Sequence, residues 1–284
     1  MIYRNGNTTV LLCPDGTKIR HTPDGQIPQP VRPESIDIKI TDYCENNCWF
    51  CYEHSNNKGT HSDLQHPILE TLEAGTELAI GGGNPLSHPD IESFLKRMKT
   101  KGVICNLTVH QNDYNFAKPY IIRLMIDRYV HGLGISVGDK ECNVQIADKI
   151  KDRVLFHTIL GITPLDVITE LSQRNKVLLL GSKRLQPNND AINGLRDFIV
   201  NKSELIVGLY FDNLACEQLD VRSLVDTETW NKRYMGGDGI FTMYIDLVKE
   251  YGYTSSVDKS VSYALSESPN IRNLFAQIRQ NTIG

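Results

Sequence analysis

The chain contains no run of about 18 consecutive apolar residues, so no membrane-spanning helix is expected. It also lacks an excess of basic charge. Its 30 Lys and Arg face 34 Asp and Glu, for a net charge of −4. Nucleic acid and acidic membrane surfaces are therefore not expected partners. The one local basic run, Lys96, Arg97, Lys99 and Lys101, falls at the end of a predicted helix, where it complements the helix dipole. Cysteine is too sparse and uneven for a disulfide framework, with 7 in 284 residues. No charged-then-apolar leader opens the sequence, and a soluble, reducing, cytoplasmic setting is the expectation.

What is present is concentrated in one stretch. Cys44, Cys48 and Cys51 stand at x3 and x2 spacing, with Phe50 just before the third. One short loop can then present three thiolates to one site. Three is the informative number. A structural zinc site is closed by four protein ligands, and a [4Fe–4S] cluster on four cysteines is closed as well. Three cysteines leave one iron open to a ligand that is not protein. Two readings of the donor set stay open: an iron–sulfur cluster on the three cysteines, or a zinc site completed by His54.

The flanking pattern is strand–helix alternation. Hydrophobic residues make up 40% of the chain and charged residues 23%, enough for a substantial core. Ile36, Ile38 and Ile40 alternate with polar residues and predict a strand leading into the cysteine loop. Leu64, Ile68, Leu69 and Leu72 form a helical stripe. Residues 77–80 predict a buried strand running into Gly81-Gly82-Gly83-Asn84-Pro85. A helix is expected from Ser87-His88-Pro89-Asp90 onward, with proline in its first turn, and Ile91, Phe94, Leu95 and Met98 on its buried face. Strands are expected at 103–109, 134–137, 154–160, 176–180 and 205–211. Helices are expected at 119–129, 143–150, 164–173 with Thr163 as N-cap, and 191–200. Such repetition marks a parallel sheet with crossover helices.

Before this pattern, Pro14-Asp15-Gly16 predicts a turn between strands at 8–12 and 17–20. Cys13, in that turn, is taken as structural. After it, 241–246 and 251–257 predict a hairpin, and 270–280 an amphipathic helix. The expected organisation is an N-terminal β-hairpin extension (1–33), a barrel (34–212) and a C-terminal hairpin and helix (213–284).

Cys-x3-Cys-x-aromatic-Cys close after a predicted strand resembles the signature of the radical S-adenosylmethionine (radical SAM) enzymes. The resemblance implies an α/β fold, a partial (β/α)6 TIM-like barrel. It implies a [4Fe–4S] cluster on Cys44, Cys48 and Cys51, and SAM on the open iron. One-electron cleavage of SAM would yield a 5′-deoxyadenosyl radical that abstracts hydrogen from a substrate. It implies Phe50 near the adenine, and Gly81, Gly82, Gly83 and Asn84 at the SAM amino group. Asn84 stands where the family commonly has glutamate. Ser136 would lie at the ribose, and His157 on the strand that runs along the adenine. An electron donor such as a flavodoxin or a ferredoxin is implied too. No cysteine follows Cys216, so a single cluster is expected, which argues against those peptide-modifying members that carry a cysteine-rich tail.

His110, Gln111, Lys183, Arg184 and Asp212, at strand ends, could reach the barrel mouth, the two cations suiting an anionic substrate or the SAM carboxylate. Cys142 could donate hydrogen to a substrate radical, whereas Cys105 is expected in the core. A competing reading keeps the barrel and the iron–sulfur site but not catalysis, on the ground of Asn84.

Overall fold

The computed structural model describes residues 1–14 and 16–282. Three short strands come first, β1 (Ile2–Asn5), β2 (Thr8–Leu12) and β3 (Lys18–His21), paired antiparallel in that order. The expected hairpin thus gains a third strand. The Pro14-Asp15-Gly16 turn includes Asp15, which lies outside the described residues.

The main sheet begins at β4 (Ser35–Thr41) and continues through β5 (Glu77–Gly82), α1 (Ile91–Thr100), β6 (Ile104–His110), α2 (Gln111–Ile126) and β7 (Gly132–Ser136). Then follow β8 (Val154–Ile159), α3 (Leu165–Ser172), β9 (Lys176–Leu180), α4 (Asn189–Asn201), β10 (Gly208–Phe211), α5 (Asn213–Gln218) and α6 (Thr227–Arg233). The chain closes with β11 (Thr242–Asp246), β12 (Tyr251–Tyr253), β13 (Tyr263–Ala264) and α7 (Ile271–Thr282).

The sheet order is β10-β9-β8-β7-β6-β5-β4-β11-β12-β13. Neighbours from β10 to β11 run parallel, and β12 and β13 are antiparallel. Among the described residues no pairing joins β10 to β13, so the barrel is partial and open on one side.

Period-2 alternation gives each strand an outer and an inner face. Ile36, Ile38 and Ile40 join the outer core under the helices with Leu78, Ile80, Leu107 and Ile135. Their neighbours Asp37, Lys39 and Thr41 point into the lumen. Phe94, Leu95 and Met98 of α1 are fully buried against that outer core, each worth about 1.5–3 kcal/mol.

Several expectations need correction. The stripe at Leu64–Leu72 is buried, but it forms only a short 3-10 turn at Pro67–Thr71. The missing helix is replaced from far along the chain. In α7, Leu274, Phe275 and Ile278 are fully buried, the Ile271 amide donates to Thr71, and Arg272 pairs with Glu73 at 2.7 Å. A stripe too short and too rich in turns for an α-helix thus borrows its cover. The 143–150 helix is absent; that stretch is irregular and leads to a 3-10 turn at Lys151–Arg153. Pro89 precedes α1, which starts at Ile91 with Asp90 as an N-cap that makes no side-chain bond. α2 starts at Gln111, eight residues before Pro119, and kinks at Ala117, where the proline disturbs the ladder. Pro164, not Thr163, precedes α3; the Thr163 hydroxyl instead accepts from the Ile159 amide.

The expected C-terminal hairpin forms, but its second strand ends at Tyr253, and its first strand pairs in parallel with β4. At the opposite end of the barrel the N-terminal sheet is anchored by Lys18 on Glu77 (3.0 Å) and Arg20 on the buried Glu34 (2.8 Å).

Candidate functional site

The carboxyl ends of β4 to β11 open on one side of the sheet, where sites gather in parallel α/β barrels. The loop after β4 holds Cys44, Cys48 and Cys51, all free and half-buried. Burial pushes the Cys48 thiol up to about 11, and the neighbouring Cys44 and Cys51 add to that. Mutual influence of this kind means that the three sulfurs share one locality. Among the described residues, no three His, Cys, Asp or Glu side chains converge on one ion position. A single zinc ion would need donors about 2.0–2.3 Å from a common point. A cluster spreads its thiolates over separate irons, so its donors need not meet at one point. His54 is exposed, with φ of 53°.

The cysteine loop is tied on three sides. Asn46 donates to Asp113 of α2 at 2.6 Å and accepts from Asn112 at 3.2 Å. The Trp49 indole donates to Asp139 at 2.7 Å, and Arg184 donates to the Trp49 carbonyl at 2.5 Å. Just past Cys51, Glu53 accepts from Lys39 (2.9 Å), Tyr244 (3.0 Å) and Lys259 (3.0 Å). Lys39 also meets Asp42 at 2.5 Å and Asp246 at 3.3 Å. Burial opposes charge on Glu53, but Lys39 and Lys259 outweigh it and hold the carboxyl at about 2. The C-terminal strand and loop thus help to fix the cysteine loop.

The glycine loop after β5 is clamped to the base of the cysteine loop. Gly83 and Asn84 amides donate to the Thr41 and Tyr43 carbonyls, both at 2.7 Å. A Cβ on Gly83 would lie 2.2 Å from the Tyr43 oxygen, and one on Gly82, where φ is +110°, 2.5 Å from that of Thr41. These two glycines are therefore required by loop-to-loop packing. Gly81 differs: a Cβ there would meet only Thr108, at 4.0 Å. The Asn84 side chain accepts from Leu86 at 3.1 Å and caps the following turn.

Phe50 lies edge-on to Trp49, with ring centroids 5.5 Å apart at 88°. It packs so closely on Gly138 that a Cβ there would lie 2.8 Å from its ring. Register aligns His110, Ser136 and His157 across β6, β7 and β8. The His157 ring covers Gly134, and burial lowers its pKa to about 4, so it is neutral at pH 7. Phe50, Gly138, His110, Ser136 and His157 thus stand at one end of the lumen.

Other expected residues sort differently. Cys105 is buried in the outer core, and burial pushes its thiol up to about 12. Cys142 lines an outer cavity of about 350 Å³ with Val144, Ile146 and Phe156. The Gln111 amide donates to the Glu141 carbonyl. Asp212 caps α5 and also accepts from Gly181 at 2.9 Å. Lys183 donates to Ser256 at 2.6 Å and lies 4.0 Å over the Tyr52 ring. Sequence reasoning missed Asn46, Glu53, Asp113, Asp139 and Lys259. The signal for Lys39 and Asp37 was there, as the polar phase of the β4 alternation.

The three free thiols thus lie on the loop after the first strand of an open parallel α/β barrel. Residues 38–162 match the model of the Radical SAM superfamily, so the chain carries a radical SAM domain, an enzyme domain, across that segment. Among solved structures it is similar to SuiB of Streptococcus suis bound to S-adenosylmethionine, with a TM-score of 0.58, 13% identity, and coverage of 88% of this chain and 68% of that one. SuiB bound to its precursor peptide SuiA gives a TM-score of 0.60 at 13% identity, over 88% and 67% of the two chains. At that identity the likeness shows the fold. Among curated proteins no sequence matches. No helix among the described residues is long and apolar enough to cross a membrane.

Proposed function

We propose that this chain is a radical SAM enzyme with one [4Fe–4S] cluster on Cys44, Cys48 and Cys51. When bound, the cluster would supply the electron for reductive cleavage of SAM, and the resulting 5′-deoxyadenosyl radical would abstract hydrogen from a substrate. The observation that carries this reading is the set of three free, half-buried thiols on the loop after the first barrel strand, inside the segment matched by the family model.

This chain's own residues have separable tasks. Asn46, Trp49 and Glu53 hold the cysteine loop against α2, Asp139 and Lys39. Gly82 and Gly83 hold the glycine loop close to it. Gly81, with open space before it, is the glycine left to approach SAM, and Asn84 keeps the turn in place. Phe50 supplies an apolar face for the adenine. Ser136 offers a hydroxyl to the ribose, and His157 a neutral imidazole beside it. The working barrel is 34–212 with β11 added, flanked by extensions at 1–33 and 213–284. A flavodoxin or ferredoxin as electron donor and a reducing cytoplasmic setting belong to the same reading.

The test is iron and sulfide content, with the electron paramagnetic resonance spectrum of the reduced protein, after anaerobic reconstitution. Four irons per chain with a cubane spectrum, lost in Cys44→Ala, Cys48→Ala and Cys51→Ala, is expected. Stoichiometric zinc in freshly purified protein, with no iron uptake, would refute it.

A further inference from the structure

The lumen carries a charge imbalance that the cluster and SAM contacts do not use. Asp37 sits exposed on the lumen face of β4, and its carboxylate accepts no hydrogen bond from any described residue. Register sets it in one row with Ala79, Asn106 and Gly132 across β5, β6 and β7. Ala79 leaves the row open between Asp37 and Asn106, whereas the Asn106 amide lies over Gly132, where a Cβ would meet its oxygen at 2.8 Å. Asn106 donates to Glu77, while its side-chain oxygen is buried without a partner. The Asp37 carboxylate thus has one small residue, Ala79, beside it in the row, and neither it nor the Asn106 oxygen has a donor.

The surrounding charges are these. Lys183, from the loop after β9, is the cation that acts most strongly on Asp37, while Asp238, Glu77 and Asp212 act against it. Glu77 is neutralised by Lys18 at 3.0 Å. Lys39, next along β4, is already shared by Asp42, Glu53 and Asp246. That leaves Asp37, Asp212 and Asp238 against one ammonium. Asp212 is taken up by the Gly181 and Ala215 amides, and Asp238 by Asn213 at 2.6 Å. Tyr52, from the cysteine loop, and Tyr244, paired with Asp37 across β11, are phenols whose pKa burial raises, so they add no charge. Asp37 is thus the carboxylate with open valence, beside acids that make like charge costly and an added cation favoured.

We propose that Asp37 is the substrate-anchoring group, and that the substrate presents a cationic hydrogen-bond donor, an amine or a guanidine, to the lumen at Asp37, beside Ala79. This rests on the radical SAM reading only in taking the lumen as the substrate site. Desolvation by the lumen wall and the neighbouring acids raise the carboxyl of Asp37, whose side chain is open to solvent, above the usual carboxylate range. Cation binding should therefore weaken on acidification, as that carboxyl takes up a proton.

The test uses reconstituted full-length protein with SAM, and two probes of equal shape, n-butylammonium and n-butanol, in equilibrium binding by ligand-observed NMR. The ammonium should bind about tenfold more tightly than the alcohol, a difference of about 1.4 kcal/mol. Asp37→Asn should bring the two within about twofold. Lys183→Met, which removes the competing cation, should tighten ammonium binding several-fold, an increase that a misfolded variant would not give. Equal binding of the two probes, a preference retained in Asp37→Asn, or weaker binding in Lys183→Met would each overturn the proposal. Formation of 5′-deoxyadenosine by the native protein is measured separately. Ammonium binding without it keeps this inference and removes the radical SAM reading; the converse removes this inference alone.

Discussion

Replacing Gly83 with alanine would drive a methyl group into backbone. The new Cβ would lie 2.2 Å from the Tyr43 oxygen and 2.8 Å from its carbonyl carbon. Neither atom is the end of a flexible side chain, so the glycine loop must move away from the cysteine loop. That movement strains or breaks two amide-to-carbonyl bonds of 2.7 Å, Gly83 to Thr41 and Asn84 to Tyr43. Overpacking costs about 1–3 kcal/mol, and two backbone hydrogen bonds add about 1 kcal/mol each. A loss of roughly 3–5 kcal/mol lowers the melting temperature by about 6–20 °C in a chain of this size. Gly81→Ala is the matched control, because a Cβ there meets only Thr108 at 4.0 Å. Its melting temperature should stay within about 2 °C of native, while SAM binding by equilibrium dialysis weakens if this glycine faces the cofactor. Thermal denaturation of the two variants, each with iron content, is the assay. Equal stability of Gly83→Ala and Gly81→Ala would refute the packing argument.

Other perturbations test other parts of the account. Lys39→Met leaves Glu53 and Asp246 buried without their shared cation, a loss of about 3–5 kcal/mol, readable by urea denaturation. Arg20→Ala strips the ion-pair partner from the fully buried Glu34 carboxylate and should destabilise by a similar amount, about 3 kcal/mol; a change below about 1 kcal/mol would mean that the N-terminal sheet is dispensable. Because burial depresses His157 to about 4, the unfolded chain takes up a proton first on acidification. His157 therefore contributes a loss of stability as pH falls from about 6.5 towards 4, and a His157→Phe variant should show a shallower melting-temperature decline across that window. Asn46→Ala removes the tie to Asp113 and should lower iron retention during gel filtration without a large change in melting temperature.

The strand–helix order was legible because each barrel strand carries its apolar residues in one phase, as Ile36, Ile38 and Ile40 do, and α1 repeats its own at helical spacing. The cysteine loop was legible as spacing alone. What was not legible depends on distance along the chain. Nothing around Leu64–Leu72 reveals that α7, about 200 residues later, covers it, with Ile271 bonded to Thr71. Nothing in 241–246 reveals that the strand returns to pair with β4 rather than standing apart as a hairpin. For the site, the glycines read as a cofactor cradle, yet two of them are demanded by the cysteine loop. Lys183 and Arg184 read as an anion site, yet Arg184 holds the Trp49 carbonyl and Lys183 faces carboxylates. Charge balance in a lumen is a property of several strands at once, and no single stretch of sequence carries it.

The central claim is that three thiols after the first barrel strand support radical SAM chemistry. The most direct measurement is 5′-deoxyadenosine formed from SAM by anaerobic, reconstituted protein with dithionite, read by chromatography against the Cys48→Ala variant. The account predicts product from the native chain and none from the variant. Equal product from both would contradict it.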